Sequence, residues 1–240
     1  MFKKSDIKIS IIIPCYNEFK TIKEVINRVS RHLVYYNFEK YEILVVDDFS
    51  NDGTRELLKE LDINEHVSVF YHEKNFGKGA AVHTGIANVA GDITIIQDAD
   101  LEYNPSDYDK LLTPFFETDA DVVYGSRFIG GGKYVRIHFF WHYLANKLIT
   151  FFCNMFTNLN LTDVETGYKV FKTDRLKEIK LIEKTFSFEP EITIKLAKKG
   201  CKFFEVPISY NGRSYSDGKK IGLKDAFIAL KAIFIYSITK

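Results

Sequence analysis

The sequence predicts an α/β protein built on a mostly parallel β-sheet flanked by helices. Three observations carry this. Short, continuous apolar runs recur along the chain, as in strands buried on both faces. Stretches with apolar residues at helical spacing lie between them. Polar or acidic clusters come directly after three of the runs, and in parallel sheets ligands gather at the carboxyl ends of the strands.

Ile9–Pro14 reads as the first strand, followed by Tyr16-Asn17-Glu18 and a helix with Ile22, Val25, Ile26, Val29 and Leu33 on one face. Tyr41–Val46 is a second strand, ending in Asp47-Asp48. Asp52-Gly53-Thr54 opens a helix carrying Leu57, Leu58 and Leu61, with Asp52 a candidate cap. Val67–Tyr71 is a third strand, Gly77–Ala90 a Gly/Ala-rich helix and Ile93–Gln97 a fourth strand that runs into Asp98–Glu102. An amphipathic helix follows Pro105, then Val122–Tyr124 as a fifth strand. The second half is less regular. Gly130-Gly131-Gly132 marks a mobile loop, Phe139–Phe156 and Phe188–Lys198 are helical in spacing, and Cys201–Val206 is a late strand before Pro207. Leu223–Ile238 closes the chain as an amphipathic helix, with Lys224 and Lys231 on a separate stripe.

The chain has 240 residues, enough for a substantial core, and no linker rich in Pro, Gly and Ser divides it, so one domain over 1–240 is expected. A net charge of +1 lends no support to nucleic-acid binding. The charge is uneven: from Lys198 to Lys240 nine Lys/Arg stand against three Asp/Glu, which suits an anionic partner at that end. Cys15, Cys153 and Cys201 are far apart and odd in number, as expected of core residues in a reducing compartment. The apolar run ending at Pro14 is too short for a signal sequence, and no segment has the length and apolarity of a membrane span.

Asp98, Asp100 and Glu102 are the most informative residues. Alternation along an extended chain would send all three carboxylates to one side. Crowded there, they call for a cation, and a hard ion such as Mg²⁺ or Mn²⁺ takes carboxylates from protein and further oxygens from water and a diphosphate. Gly77-Lys78-Gly79 precedes a helix, but position 82 is Val and the first strand is elsewhere, so a dinucleotide fingerprint is absent.

Four motifs stand in order: Ile11-Ile12-Ile13-Pro14-Cys15-Tyr16-Asn17-Glu18, Val45-Val46-Asp47-Asp48-Phe49-Ser50-Asn51-Asp52-Gly53-Thr54, Asn75-Phe76-Gly77-Lys78-Gly79 and Asp98-Ala99-Asp100. Together they resemble the GT-A glycosyltransferases of family 2 over nearly the whole chain. Gly125-Ser126-Arg127, Asp163-Val164-Glu165-Thr166-Gly167-Tyr168 and Arg213 six residues before Lys219 narrow the resemblance. They look like the polyprenyl-phosphate hexosyltransferases of the dolichol-phosphate mannose synthase type.

The resemblance implies the GT-A nucleotide-diphospho-sugar transferase fold, with a nucleotide-binding half over 1–125 and an acceptor half over 126–240. It implies an inverting, metal-dependent transfer of a hexose from GDP-mannose or UDP-glucose to a polyprenyl phosphate. Pro14, Tyr16, Asn17, Glu18, Asp47, Asp48, Lys78 and Ala99 would line the donor site together with Asp98 and Asp100, and Asp47 is the likelier base reader. Asp98, Asp100 and Glu102 would hold Mg²⁺ or Mn²⁺, although Glu102 stands where such enzymes often carry Gln. Arg127, Arg136, Thr166, Arg213 and Lys219 would meet acceptor phosphate, Arg through its planar fork.

An anionic phosphate acceptor needs screening rather than a base. A sugar hydroxyl on a glycan or lipid-linked saccharide would need one, and Glu165, Asp163, Glu189 and Glu191 are the candidates. A non-catalytic nucleotide-binding module is the remaining alternative. The expected location is cytoplasmic, peripheral at the cytoplasmic face of the membrane, with the C-terminal helix either in the bilayer interface or packed on protein.

Overall fold

In a computed structural model of the protein, the described residues are 6–61, 65–130, 139–212 and 223–238. Of residues 223–225 only the backbone is described. The expected Arg136, Arg213 and Lys219 contacts, and most of the glycine loop after Gly130, lie outside these residues.

Seven strands form one sheet in the order β3-β2-β1-β4-β6-β5-β7. They are β1 (Ile9–Cys15), β2 (Tyr41–Asp47), β3 (Val67–Tyr71), β4 (Ile93–Ile96), β5 (Val122–Ser126), β6 (Lys169–Lys172) and β7 (Phe203–Pro207). The pairs β1–β2, β2–β3, β1–β4 and β5–β7 are parallel, whereas β6 runs antiparallel to both β4 and β5. Pro14 is tolerated in a central strand because β4 pairs with β1 only at Ile9–Ile12.

The helices are α1 (Ile22–Tyr35), α2 (Thr54–Leu61), α3 (Lys78–Asn88), α4 (Tyr108–Glu117), α5 (Phe140–Thr157), α6 (Thr173–Lys177), α7 (Phe188–Lys198) and α8 (Leu223–Ile238). Alternate strand residues feed two layers. Ile9, Ile11, Ile13, Ile93, Ile95 and Val123 pack with α1 and α4 on one face. Val122, Tyr124 and Phe171 pack with α5, α7 and α8 on the other. The apolar runs thus sit where the sequence places them, and strand and helix bounds shift by a few residues at most.

The sequence reading missed β6 and α6. Strand β6 is only four residues long, begins and ends with Lys, and shows no apolar run. Its Lys169 is fully buried because a carboxylate meets it, a tertiary fact with no local signature. No described helix is long and apolar enough to cross a membrane.

Candidate active site

The parallel arrangement brings the three polar clusters to one rim, past the carboxyl ends of β1, β2 and β4. Backbone geometry builds that rim first. Asn17 adopts a left-handed φ of 54° and turns the chain away from β1. Its N–H donates to Ser50 Oγ at 2.9 Å, and its Oδ1 accepts from Asn51 N at 2.9 Å, tying the β1 and β2 loops together. Glu18 opens α1: its carbonyl accepts from Thr21 and Ile22 N–H, and its carboxylate from Thr21 Oγ1 at 2.8 Å. Asp52 does cap α2, accepting from Thr54 N at 3.1 Å.

Asp47 and Asp48, expected to read a base, are both buried. Asp47 pairs with Arg55 Nε at 3.2 Å, and that guanidinium lies over the Phe49 and Tyr71 rings. Asp48 accepts from Phe76 N at 2.9 Å and Gly77 N at 2.7 Å, and His72 Nδ1 meets it at 2.7 Å. Asp48 therefore fixes the loop that leads into α3. Tyr16 stands half-buried at the exit of β1.

The Gly77-Lys78-Gly79 segment is a close-packing device. A Cβ at Gly77 would stand 2.5 Å from Lys184 O, and one at Gly79 2.5 Å from Glu183 O. Two glycines let the start of α3 press on the 183–185 backbone, where Ala80 N donates to Lys184 O at 3.1 Å. Lys78 is thereby fixed beside the acidic turn: Nζ lies 2.7 Å from Asp98 Oδ1 and 3.3 Å from Glu189 Oε1. Burial disfavours its charge, but Asp98, Glu189 and Asp100 outweigh it and hold the ammonium's pKa above the usual lysine value.

The acidic stretch is not extended. It turns directly after β4, and Leu101 takes a φ of 61° while Glu102 N donates to Asp100 Oδ1 at 3.2 Å. The expected alternation is corrected accordingly: the three carboxylates do not form one row, because a turn rather than a strand carries them. Asp98 Oδ2 lies 2.3 Å from where a Cβ would stand on Gly167, so only glycine there leaves it room. Asp98 pairs directly with the Lys78 ammonium, and Asp100 adds to the negative field on it. Glu102 instead accepts from Tyr210 OH at 2.6 Å, and its carbonyl accepts from Asn211 N at 2.8 Å, fastening the segment after β7 to the turn.

Among the described residues no group of three His, Cys, Asp or Glu side chains gathers to hold an ion. Asp98 and Asp100, hard oxygen donors two residues apart where the chain turns after β4, still fit Mg²⁺ or Mn²⁺, which commonly take one or two carboxylates and complete their shell with water and phosphate oxygens.

On the other side, Arg127 follows β5 and grips buried Asp163: Nε to Oδ2 at 2.7 Å, Nη2 to Oδ1 at 2.8 Å, and Nη2 also to Glu165 O at 2.9 Å. Burial raises the Asp163 pKa, but Arg127 and Asn146 more than offset it and hold the carboxyl below the usual range. Thr166 donates to Gly125 O, so this residue also closes the loop under Arg127. Of the four base candidates, Asp163 is held by Arg127, Glu189 by Lys78 and Lys169, and Glu191 by Lys195 and the Ile182 and Glu183 N–H groups. Glu165 differs: its Oε1 is buried with no hydrogen-bond partner, and burial followed by the nearby Glu189 carboxylate pushes its pKa up to about 7. Sequence reasoning missed Lys169, Tyr210 and Arg55, which carry no motif of their own.

A family model described as "Glycosyl transferase family 2" matches residues 10–180. A dolichol-phosphate mannosyltransferase of Pyrococcus furiosus is 31% identical over 95% of this chain, which spans 63% of that relative's length. An undecaprenyl-phosphate mannosyltransferase of Micrococcus luteus is 30% identical over 90% of this chain and 88% of its own. A UDP-N-acetylglucosamine–dolichyl-phosphate N-acetylglucosaminyltransferase of Methanococcus voltae is 30% identical over 88% of this chain and 89% of its own. Among solved structures, glucosyl-3-phosphoglycerate synthase of Mycobacterium tuberculosis with Mn²⁺, UDP and phosphoglyceric acid superposes with a TM-score of 0.72. It covers 99% of this chain and 81% of that one at 18% identity, a likeness of fold.

Proposed function

The chain belongs to glycosyl transferase family 2 with the GT-A fold, and from that premise we propose that it moves a hexose from a nucleotide-diphospho-sugar to a polyprenyl phosphate. One observation carries the acceptor. The three relatives differ in the sugar their names give, mannose or N-acetylglucosamine, yet all three names carry a dolichol-type or undecaprenyl phosphate. The donor in this reading is GDP-mannose or UDP-glucose.

In this reading the 1–125 half holds the donor and the 126–240 half the acceptor. Asp98 and Asp100 hold Mg²⁺ or Mn²⁺, which when bound would supply positive charge for the departing nucleoside diphosphate. The acceptor phosphate oxygen forms a bond to the anomeric carbon as the donor's bond to its diphosphate breaks, with inversion. No base is required, because the acceptor is already anionic. Arg127 orients the loop between Asp163 and Gly167 through its fork, and its guanidinium also meets the acceptor phosphate.

Peripheral attachment at the cytoplasmic membrane face is supported by an apolar surface. Helices α5 and α8 pack together through Phe152, Phe156 and Phe234, yet leave Trp141 72% and Phe227 74% exposed, and Phe140, Phe151 and Ile238 are exposed on the same two helices.

The test is incubation with labelled GDP-mannose or UDP-glucose, undecaprenyl phosphate and Mn²⁺. Labelled lipid is the expected product. The Glu165 carboxyl favours a second reading, transfer to a sugar hydroxyl with Glu165 as base. Absence of lipid product alongside transfer to an oligosaccharide would select it.

A further inference from the structure

Lys78 is shared between two carboxylates that are unequally supplied with cations. Glu189 has a second partner, Lys169, which is fully buried and also donates to Thr166 O. Among the described residues Lys78 is the sole cation paired with Asp98. Its backbone is held by the glycine packing against 183–185, and the Phe186 and Phe188 rings lie 5.8 and 5.7 Å from Nζ. This is an enclosed ammonium aimed at the acidic turn, and release from Asp98 leaves it a second anchor in Glu189.

We propose that Lys78 is an internal counter-cation that competes with a divalent ion for Asp98, so that the ion binds well only together with the donor diphosphate. The inference rests on the metal reading above. Charge balance is its basis. Asp98, Asp100 and the Lys78 ammonium together carry one net negative charge, and a divalent ion added alone turns this into one net positive charge in a partly buried site. A diphosphate arriving with the ion restores the balance and gives the displaced ammonium a new anionic partner. Linkage makes the effect reciprocal: nucleoside diphosphate tightens the ion as much as the ion tightens the diphosphate.

The experiment measures Mn²⁺ binding to the full chain by electron paramagnetic resonance, with and without UDP or GDP, in the wild type, Lys78→Met and Lys78→Arg. Lys78→Gln, which can still hydrogen-bond Glu189, replaces the Met variant if circular dichroism shows loss of fold. Removing the charge should tighten Mn²⁺ binding without nucleotide by about tenfold and shrink the nucleotide's enhancement, within the ~5–150-fold range of such couplings. Lys78→Arg should behave as wild type. A merely structural lysine would not yield tighter binding on removal. Unchanged or weaker Mn²⁺ binding in the neutral variant overturns the inference alone. No Mn²⁺ binding by any protein, even with UDP and GDP, overturns the metal reading and this inference with it.

Discussion

Arg127 and Asp163 are joined by two parallel hydrogen bonds of 2.7 and 2.8 Å, and Arg127 N adds a third to the same carboxylate at 3.1 Å. The carboxylate is fully buried and also accepts from Asn146 Nδ2 at 2.8 Å. Losing one partner of such a pair leaves an uncompensated buried charge, which costs about 3–5 kcal/mol. Asp163→Ala should therefore lower unfolding free energy by about that amount, read from urea denaturation. Arg127→Lys should also destabilise, because an ammonium cannot supply the parallel fork. A shift within error in both variants would remove the pair from the fold's essential contacts.

Asp100→Ala should abolish donor hydrolysis and glycosyl transfer while leaving the thermal midpoint close to that of the wild type. Asp100 lies on the turn after β4, outside the buried core, and accepts a hydrogen bond from Glu102 N. Undiminished turnover in Mn²⁺ would sink the metal assignment.

Glu165 gives a pH signature. Its carboxyl is raised from 4.5 to about 7 by burial and by Glu189. The folded chain then keeps a proton that the unfolded chain releases, so this group's contribution to stability falls as pH rises from 4.5 to about 7. Glu165→Gln removes the titration. The variant should gain stability relative to wild type across that window and hold the gain above it. Denaturation at a series of pH values measures this, and a constant difference would contradict the raised pKa.

Trp141, Phe140 and Phe227 project from the α5–α8 surface. Replacing all three with Ser should reduce co-sedimentation with anionic lipid vesicles severalfold, with little change in thermal stability because none is part of the core. Equal sedimentation of both proteins would assign this surface to protein contact.

Much of the candidate rim is legible in the sequence because it is written locally. An apolar run fixes each strand, and the polar residues following it inherit a place at the carboxyl end. Asp98 and Asp100 are found this way. Their geometry is not, because the turn at Leu101 is fastened where neighbouring Tyr103 packs on Gly167 and Tyr210, residues brought from distant segments. The same holds for Glu189. Its spacing allows a base, yet two lysines from α3 and β6 neutralise it. Glycines 77 and 79 have the look of a phosphate loop and serve helix packing instead. Side-chain partners across the sheet, rather than motifs, settle these roles.

Strand β6 lies between β4 and β5, hydrogen-bonded to both. During synthesis, β4 and β5 are made well before residues 169–172 exist to join them. Until then the inner edge of each strand is unpaired, a template for wrong pairing with other chains. The N-terminal half cannot complete its own sheet, so a fragment ending before β6 would emerge with an open, sticky edge. The two halves are thus not interchangeable cassettes: neither is sealed until residues 169–172 have been made.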